Sequence, residues 1–89
     1  MLKKEITIVN KLGLHARAAA KFVSLASSFS SDISLSRDSK RVNGKSIMGV
    51  VMLAASKGTV LELSAEGNDE ALAMARIEEL IQNRFGEES

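Results

Sequence analysis

The chain has no cysteine, no proline, no tryptophan and no tyrosine, and it has one histidine among 89 residues. Without thiols there is neither a disulfide framework nor a thiolate metal site, and a single imidazole is too few for a histidine-based metal centre. We therefore expect a protein without redox chemistry, without a bound metal and without a cofactor.

A strong charge of one sign is also missing. Twelve basic and eleven acidic residues leave a formal net charge of +1, and three Phe residues are the only aromatic side chains besides the histidine. Such a chain has no global field to attract phosphate backbones and few surfaces on which bases stack. Nucleic acid is not an expected partner. The composition, 45% hydrophobic and 26% charged, is typical of a globular domain, and we expect one domain over residues 1–89.

The sequence contains no long apolar run. The N-terminal segment MLKKEITIVN alternates polar and apolar residues, whereas a signal peptide or a membrane-spanning helix needs a continuous apolar stretch. We expect a cytoplasmic protein that does not insert into a membrane.

Hydrophobic periodicity predicts the order β-α-β-β-α-β-α. Alternation predicts strands at residues 2–9, 32–37, 41–43 and 59–66, and helical spacing predicts helices at 16–28, at 46 to about 57, and from a cap at Asn68 to about Arg84. Each convincing strand has one polar face, so the helices cover only the other face. The predicted fold is an open-faced two-layer sandwich, and residues 86–89 are predicted to be frayed.

The same patterns predict the core. On the first predicted strand the inward residues are Leu2, Ile6 and Ile8. The first helix contributes Ala18, Phe22, Leu25 and Phe29 with Ala19 and Ala26, the second Val50, Leu53 and Ala54, and the third Met74, Ile77, Ile81 and Phe85 with Ala73 and Leu80.

The histidine, His15, stands where the first helix begins, a position that usually holds Ser, Thr, Asp or Asn. The free N–H groups of the first turn, at Ala16, Arg17 and Ala18, and the helix dipole favour an anion there. The guanidinium of Arg17 suits phosphate oxygens. Two interpretations follow from the residues alone: a polar cap beside a solvated arginine, or a site that receives a phosphoryl group.

The triplet Gly44-Lys45-Ser46 is not a P-loop, because residue 39 is Ser where that motif needs glycine. Ser46 is predicted to cap the second helix. That helix is apolar almost all round, so one sheet cannot cover it, and exposed apolar surface marks interaction sites. The predicted patch has a basic rim of Arg17, Lys21 and Lys45. Its apolar members are Ile47, Met48, Val51 and Met52, with Ala16 and Ala20, although helix propensity alone accounts equally well for the alanines.

Two segments resemble one family. GLHARAAAKF, residues 13–22, is similar to the active-site segment of the HPr family, the histidine-containing phosphocarriers of the phosphoenolpyruvate-dependent phosphotransferase system. NGKSIMGVVMLAASKG, residues 43–58, resembles the second signature of that family, and spacing, element order and length agree over nearly the whole chain.

The resemblance implies a single HPr-like α+β domain, with a four-stranded antiparallel sheet covered on one face by three helices. It implies that His15 takes a phosphoryl group on Nδ1 from phospho-enzyme I and passes it to an enzyme IIA, while Arg17 stabilises the phosphate. It also implies that Ser46 is a target of HPr kinase/phosphorylase. The protein would then be a carrier rather than an enzyme, and a monomer that binds its partners transiently.

One residue departs from the family pattern, because Ala18 stands where the family usually has proline. Alanine favours helix and restores an N–H donor, so we expect the helix to persist. An alternative is a regulatory HPr-like module, of the nitrogen-related branch or controlled at Ser46. A hydrolase is not expected, because no carboxylate pair or metal cluster is evident to activate water.

Overall fold

The computed structural model describes residues 1–89. The strands are β1 (Leu2–Thr7), β2 (Asp32–Arg37), β3 (Lys40–Asn43) and β4 (Val60–Glu66). The helices are α1 (Ala16–Ser27), α2 (Ile47–Met52) and α3 (Glu70–Gln82), and a 3₁₀ turn follows at Arg84–Gly86. The order β-α-β-β-α-β-α that hydrophobic periodicity predicts is confirmed.

The four strands form one sheet in the order β1-β4-β2-β3, and every pairing is antiparallel. The register brings Leu63 beside Leu35 and Leu61 beside Ile6 on the face that the helices cover. The opposite face pairs Glu5 with Glu62. Because side chains alternate along a strand, the register separates an apolar face from a polar one. The predicted open-faced α+β sandwich is confirmed.

A core of 21 buried hydrophobic residues fills the space between the helices and the sheet. Phe22 of α1, Ile77 of α3 and Leu63 of β4 are each 0% exposed. The stripes predicted for α1 and α3 are buried, except that Leu25 and Leu80 are only partly so. Helix α2 packs against α1 and β3, which leaves much of its own surface outside the core.

Four predicted details of the first strand and the second helix are wrong. Strand β1 ends at Thr7 rather than at residue 9, and Leu2 is 38% exposed because it lies at the start of an edge strand. Helix α2 ends at Met52, well before residue 57. Its predicted core residue Ala54 is exposed in a left-handed conformation, φ 52°, while Ala55 is buried instead.

Tertiary contacts account for the early end of α2. The guanidinium of Arg37 donates to the carbonyls of Leu53 and Ala54, at 2.9 and 3.0 Å. The carbonyl of Ala55 accepts the N–H of Leu14 at 2.8 Å. These bonds satisfy carbonyls that a longer helix would have used internally, and they fix the segment that precedes His15.

The third helix also begins differently from the prediction. Its N-cap residue is Asp69 rather than Asn68. The carboxylate of Asp69 does not cap its own helix, because it accepts the N–H groups of Ser30 and Ser31 and the Ser31 hydroxyl. None of the helices is both long enough and apolar enough to cross a membrane.

Candidate functional site

His15 is the N-cap residue of α1, with extended backbone angles, φ −71° and ψ 175°. Its carbonyl accepts the N–H of Ala19 at 2.8 Å, the first hydrogen bond of the helix. Its ring atom Nδ1 accepts the N–H of Arg17 at 3.3 Å. The imidazole therefore takes the part that a Ser or Asp side chain usually plays at a helix start.

The approach to His15 depends on Gly13. This residue has φ +70°, and a Cβ placed on it would lie 2.4 Å from the carbonyl oxygen of Ala55. Only glycine tolerates both the left-handed angle and the contact with backbone. The amide of Asn10, which is fully buried, donates to the Gly13 carbonyl at 2.8 Å. The loop is thus held rigidly just before the imidazole.

A residue that the sequence did not reveal completes the site. Oε2 of Glu87 lies 2.5 Å from Nε2 of His15, and Oε1 accepts from the Asn10 amide at 3.0 Å. The hydrogen bond from Asn10 and then that from His15 lower the pKa of Glu87. The prediction of a frayed tail is therefore wrong at Glu87. No local signal could have found this carboxylate, because it reaches His15 from 72 residues away.

The turn after α3 directs the tail toward α1. Arg84 and Phe85 adopt left-handed angles, φ 57° and 55°, and reverse the chain. Phe85 is buried in the core at 1% exposure, and the Lys21 ammonium on α1 donates to its carbonyl at 2.7 Å. We call residues 84–89 the C-terminal strap, and its anchoring places Glu87 beside His15.

The two hydrogen bonds of the imidazole assign its tautomer. Nδ1 accepts from a backbone N–H and so carries no proton, which leaves the proton on Nε2 to be donated to Glu87. The unprotonated Nδ1 faces the first turn of α1, where the N–H groups of residues 16–18 lack helical partners. This arrangement suits a nucleophilic nitrogen that receives an anionic group.

Arg17 borders the same space. Its side chain is exposed and lines, with His15, Ala16, Leu12 and the tail, an open cavity of about 540 Å³. The side chains of His, Cys, Asp and Glu nowhere form a group of three that could hold a metal ion. The chemistry that the site supports is nucleophilic, with a cation and backbone donors available to an anion.

Comparison with known proteins agrees with this geometry. Residues 2–83 match the family model described as the PTS HPr component phosphorylation site. The chain is 58% identical over 87 residues to the phosphocarrier protein HPr of Neisseria meningitidis, with 98% of each chain covered. The chain belongs to the HPr family.

Solved HPr structures share its fold. The crystal structure of HPr-C-His from Thermoanaerobacter tengcongensis is 53% identical, covers both chains completely and superposes with a TM-score of 0.96. An HPr dimer from the same organism, also 53% identical, covers 98% of this chain and 100% of that one with a TM-score of 0.79. The fold and the phosphocarrier family that the two sequence motifs imply are thus confirmed.

The surface beside His15 is apolar, in line with the composition of α2. Ile47, Met48, Val51 and Met52 are 36–67% exposed. Ala16 and Ala20 on α1 are also exposed, and α1 and α2 are in contact. We call these six residues the apolar patch. Leu12, in the loop before His15, is 67% exposed as well, and the sequence patterns did not single it out.

The basic residues predicted around the patch differ in their contacts. Arg17 has no side-chain partner within the protein, whereas the ammonium of Lys45 donates to the carbonyl of Phe29 at 2.8 Å. Lys21, as described, holds the C-terminal strap. Ser46 is the N-cap of α2, as predicted, and its hydroxyl accepts the N–H of Gly49 at 3.2 Å.

Proposed function

We propose that this protein carries phosphoryl groups on Nδ1 of His15, from phospho-enzyme I to an enzyme IIA of the phosphotransferase system. The observation that carries the proposal is that Nδ1 of His15, at the start of α1, accepts the backbone N–H of Arg17. Membership of the HPr family supports the reaction class, and the two hydrogen bonds of the ring support Nδ1 as the acceptor atom.

The proposed step needs positioning and charge stabilisation more than it needs acid or base catalysis. The lone pair of Nδ1 forms a bond to phosphorus while the bond from phosphorus to the donor histidine breaks, and its electrons return to the donor nitrogen. The backbone N–H groups of Ala16 and Ala18 and the Arg17 guanidinium stabilise the phosphoryl oxygens. The Arg17 N–H joins them once Nδ1 bonds to phosphorus and no longer accepts it. The chain acts as a carrier in this scheme, without turnover of its own.

The apolar patch and its flanking cations are the proposed docking surface for both partners. A carrier binds donor and acceptor in turn, so a small shared interface with methionines that adapt to different surfaces is expected. Contacts of this size give transient binding, on the order of micromolar dissociation constants. A cytoplasmic location and a monomeric state stay predictions, and size-exclusion chromatography tests the latter.

Intact mass spectrometry tests the carrier role directly. The protein is incubated with phosphoenolpyruvate, magnesium and enzyme I, and one acid-labile phosphoryl group is expected. His15→Asn is the sharpest variant, because asparagine is a good N-cap but has no nucleophilic ring nitrogen. It should keep the circular dichroism of the parent and gain no phosphoryl group. Phosphorylation of the His15→Asn protein would show that another residue is the acceptor.

Ser46 supports a second, regulatory role that can coexist with the first. We propose that HPr kinase/phosphorylase modifies it, which would place two negative charges directly before the apolar patch. The position of the charges follows from the chain, because Ser46 directly precedes Ile47, the first residue of α2 and a member of the apolar patch. Ser46→Asp should slow phosphorylation by enzyme I, with Ser46→Asn as a neutral cap of similar size. Equal rates for the two variants would leave Ser46 with capping alone.

A further inference from the structure

The carboxylate of Glu87 is unusually well fixed for a residue near a chain end. Its side chain is 18% exposed, against 29% for that of His15. One oxygen is bound by Asn10 and the other faces Nε2 of His15. Glu87 therefore contributes a defined charge at a defined atom of the imidazole.

Asn10 fixes that carboxylate from inside the protein. It is 0% exposed, and its amide nitrogen donates to both Glu87 and the Gly13 carbonyl. Its Oδ1 has no hydrogen-bond partner. A buried amide oxygen without a hydrogen-bond partner costs stability. The side chain keeps this orientation because its nitrogen makes two hydrogen bonds, to Glu87 and to the Gly13 carbonyl. Asn10 thereby couples the loop before His15 to the strap.

We propose that Glu87 is a positioning residue for phosphoryl transfer: together with the Arg17 N–H that Nδ1 accepts, it keeps the proton on Nε2 of His15 and so leaves Nδ1 unprotonated for attack. The proposal rests on the carrier role of His15 proposed above. In water the two imidazole tautomers interconvert freely. An ionised carboxylate only accepts hydrogen bonds, so a carboxylate beside Nε2 favours the tautomer that has its proton on Nε2. The ring orientation and the tautomer are then fixed together, as in other sites where a carboxylate supports a histidine.

The same carboxylate acts on the charge of the transfer step. When Nδ1 bonds to phosphorus, the proton on Nε2 stays in place, and the ring becomes a phosphorylated imidazolium. Glu87 stabilises that positive charge, and the proton again stays when the phosphoryl group leaves for the acceptor. The imidazole is then neutral again, so His15 neither gains nor loses a proton when it receives the phosphoryl group or when it passes it on.

Other charged groups lie near the pair of His15 and Glu87, so the experiment needs a control variant for their influence. Arg17 and Lys21 lie on α1, and Glu88 follows Glu87 in the strap. Glu88 lines the same cavity but is exposed and makes no bond to His15 through its side chain. Glu88→Gln therefore removes the same charge from the neighbouring position and is the matched control for Glu87→Gln.

Nitrogen-15 NMR of the unphosphorylated protein, labelled at the imidazole, tests the proposal. The parent and Glu88→Gln should show the Nε2-protonated tautomer alone. Glu87→Gln should show a mixture, because an amide both donates and accepts. A single Nε2-protonated tautomer in Glu87→Gln would overturn the proposal. The measurement needs no phosphoryl transfer, so its outcome is independent of whether His15 is a phosphoryl acceptor.

A second readout uses the phosphorylated protein. The phosphohistidine hydrolyses faster once its ring is protonated, and Glu87 favours that protonated form. In Glu87→Gln the pH at which hydrolysis accelerates should move toward acid by about one unit, while Glu88→Gln should follow the parent. A purely structural role of Glu87 would leave this profile unmoved, and an unshifted profile would contradict the proposed role.

Discussion

Two carboxylates lie at opposite ends of helix α1, and they do different things. Beyond its C-terminal end, Asp69 accepts the N–H groups of Ser30 and Ser31 at 2.9 and 3.0 Å together with the Ser31 hydroxyl. The bond from the Ser31 hydroxyl contributes most, and with the backbone bonds it lowers the pKa of Asp69 from 3.8 to about 2. At the N-terminal end, Glu87 accepts from one buried amide and from the ring of His15.

The difference lies in the partners. Asp69 is bound by the Ser31 hydroxyl and by the N–H groups of Ser30 and Ser31, so this carboxylate joins the loop after α1 to the start of α3. The second oxygen of Glu87 binds the imidazole of His15, the proposed phosphoryl acceptor. One end of α1 is therefore fixed, and the other end is held by a contact that the proposed reaction would alter.

The largest expected effect is at the His15 end of α1. Gly13→Ala combines a left-handed φ with a Cβ that lies 2.4 Å from the Ala55 oxygen, so we expect it to lower the free energy of unfolding by more than about 1 kcal/mol. It should also displace His15 and impair phosphorylation. Urea denaturation and the mass assay measure the two effects.

Gly58→Ala is its matched control. Gly58 also has a positive φ, +91°, but a Cβ there would meet nothing within 4 Å. This variant should show the conformational cost alone and keep its phosphorylation. If Gly13→Ala were no worse than Gly58→Ala, the close contact with Ala55 would not restrict the loop.

A moderate effect is expected at the fixed end. Because the pKa of Asp69 falls from 3.8 to about 2 on folding, its carboxylate contributes its full stabilisation above pH 3.8. That contribution is lost as the pH falls through about 2. Asp69→Asn should lower Tm by several degrees at neutral pH and flatten the dependence of stability on pH between about 4 and 2. Thermal unfolding along a pH series measures both.

The control for that series is Asp32→Asn, an exposed carboxylate one residue from Ser31. It should reproduce the acid dependence of the parent. If Asp69→Asn kept the full pH dependence, the stabilising bonds of Asp69 would have to be discounted, and the contrast between the two ends of α1 would disappear.

The smallest effect concerns the strap. Lys21→Met keeps the aliphatic stem but removes the ammonium that binds the Phe85 carbonyl, and we expect global stability to change by no more than about 0.5 kcal/mol. Amide exchange at Gly86 and Glu87 should nevertheless become faster, because the strap loses an anchor. The amide of Ser31, at the other end of α1, should exchange as in the parent.

The sequence predicts most of this fold because its patterns are local. The stripe through Phe22 predicts α1 to within a residue at its C-terminal end, and alternation through Leu61 and Leu63 predicts β4. His15 and Ser46 could be placed at helix starts for the same reason. The early end of α2, in contrast, depends on a distant partner, because Arg37 binds the carbonyls of the two residues that follow the helix, Leu53 and Ala54.

The candidate site divides in the same way. His15, Arg17 and the N–H groups between them are neighbours in the chain, so their geometry follows from one helix start. Glu87 depends on the reversal at Arg84 and Phe85 and on a buried Asn10. No sequence pattern predicts that Arg84 and Phe85, which are not glycines, adopt left-handed angles, and none predicts that the amide of Asn10 is buried.

The sheet order has a consequence for how the protein is made. Strand β1, which leads directly into the His15 loop, pairs only with β4, and Glu87 follows His15 by 72 residues. During translation from the N-terminus, β1 and α1 leave the ribosome long before β4, the partner of β1, and Glu87, the partner of His15, have been synthesised. Pairings this distant in sequence close late in folding. A nascent chain therefore holds His15 without the carboxylate of Glu87, and the pair is assembled only after α3 has emerged.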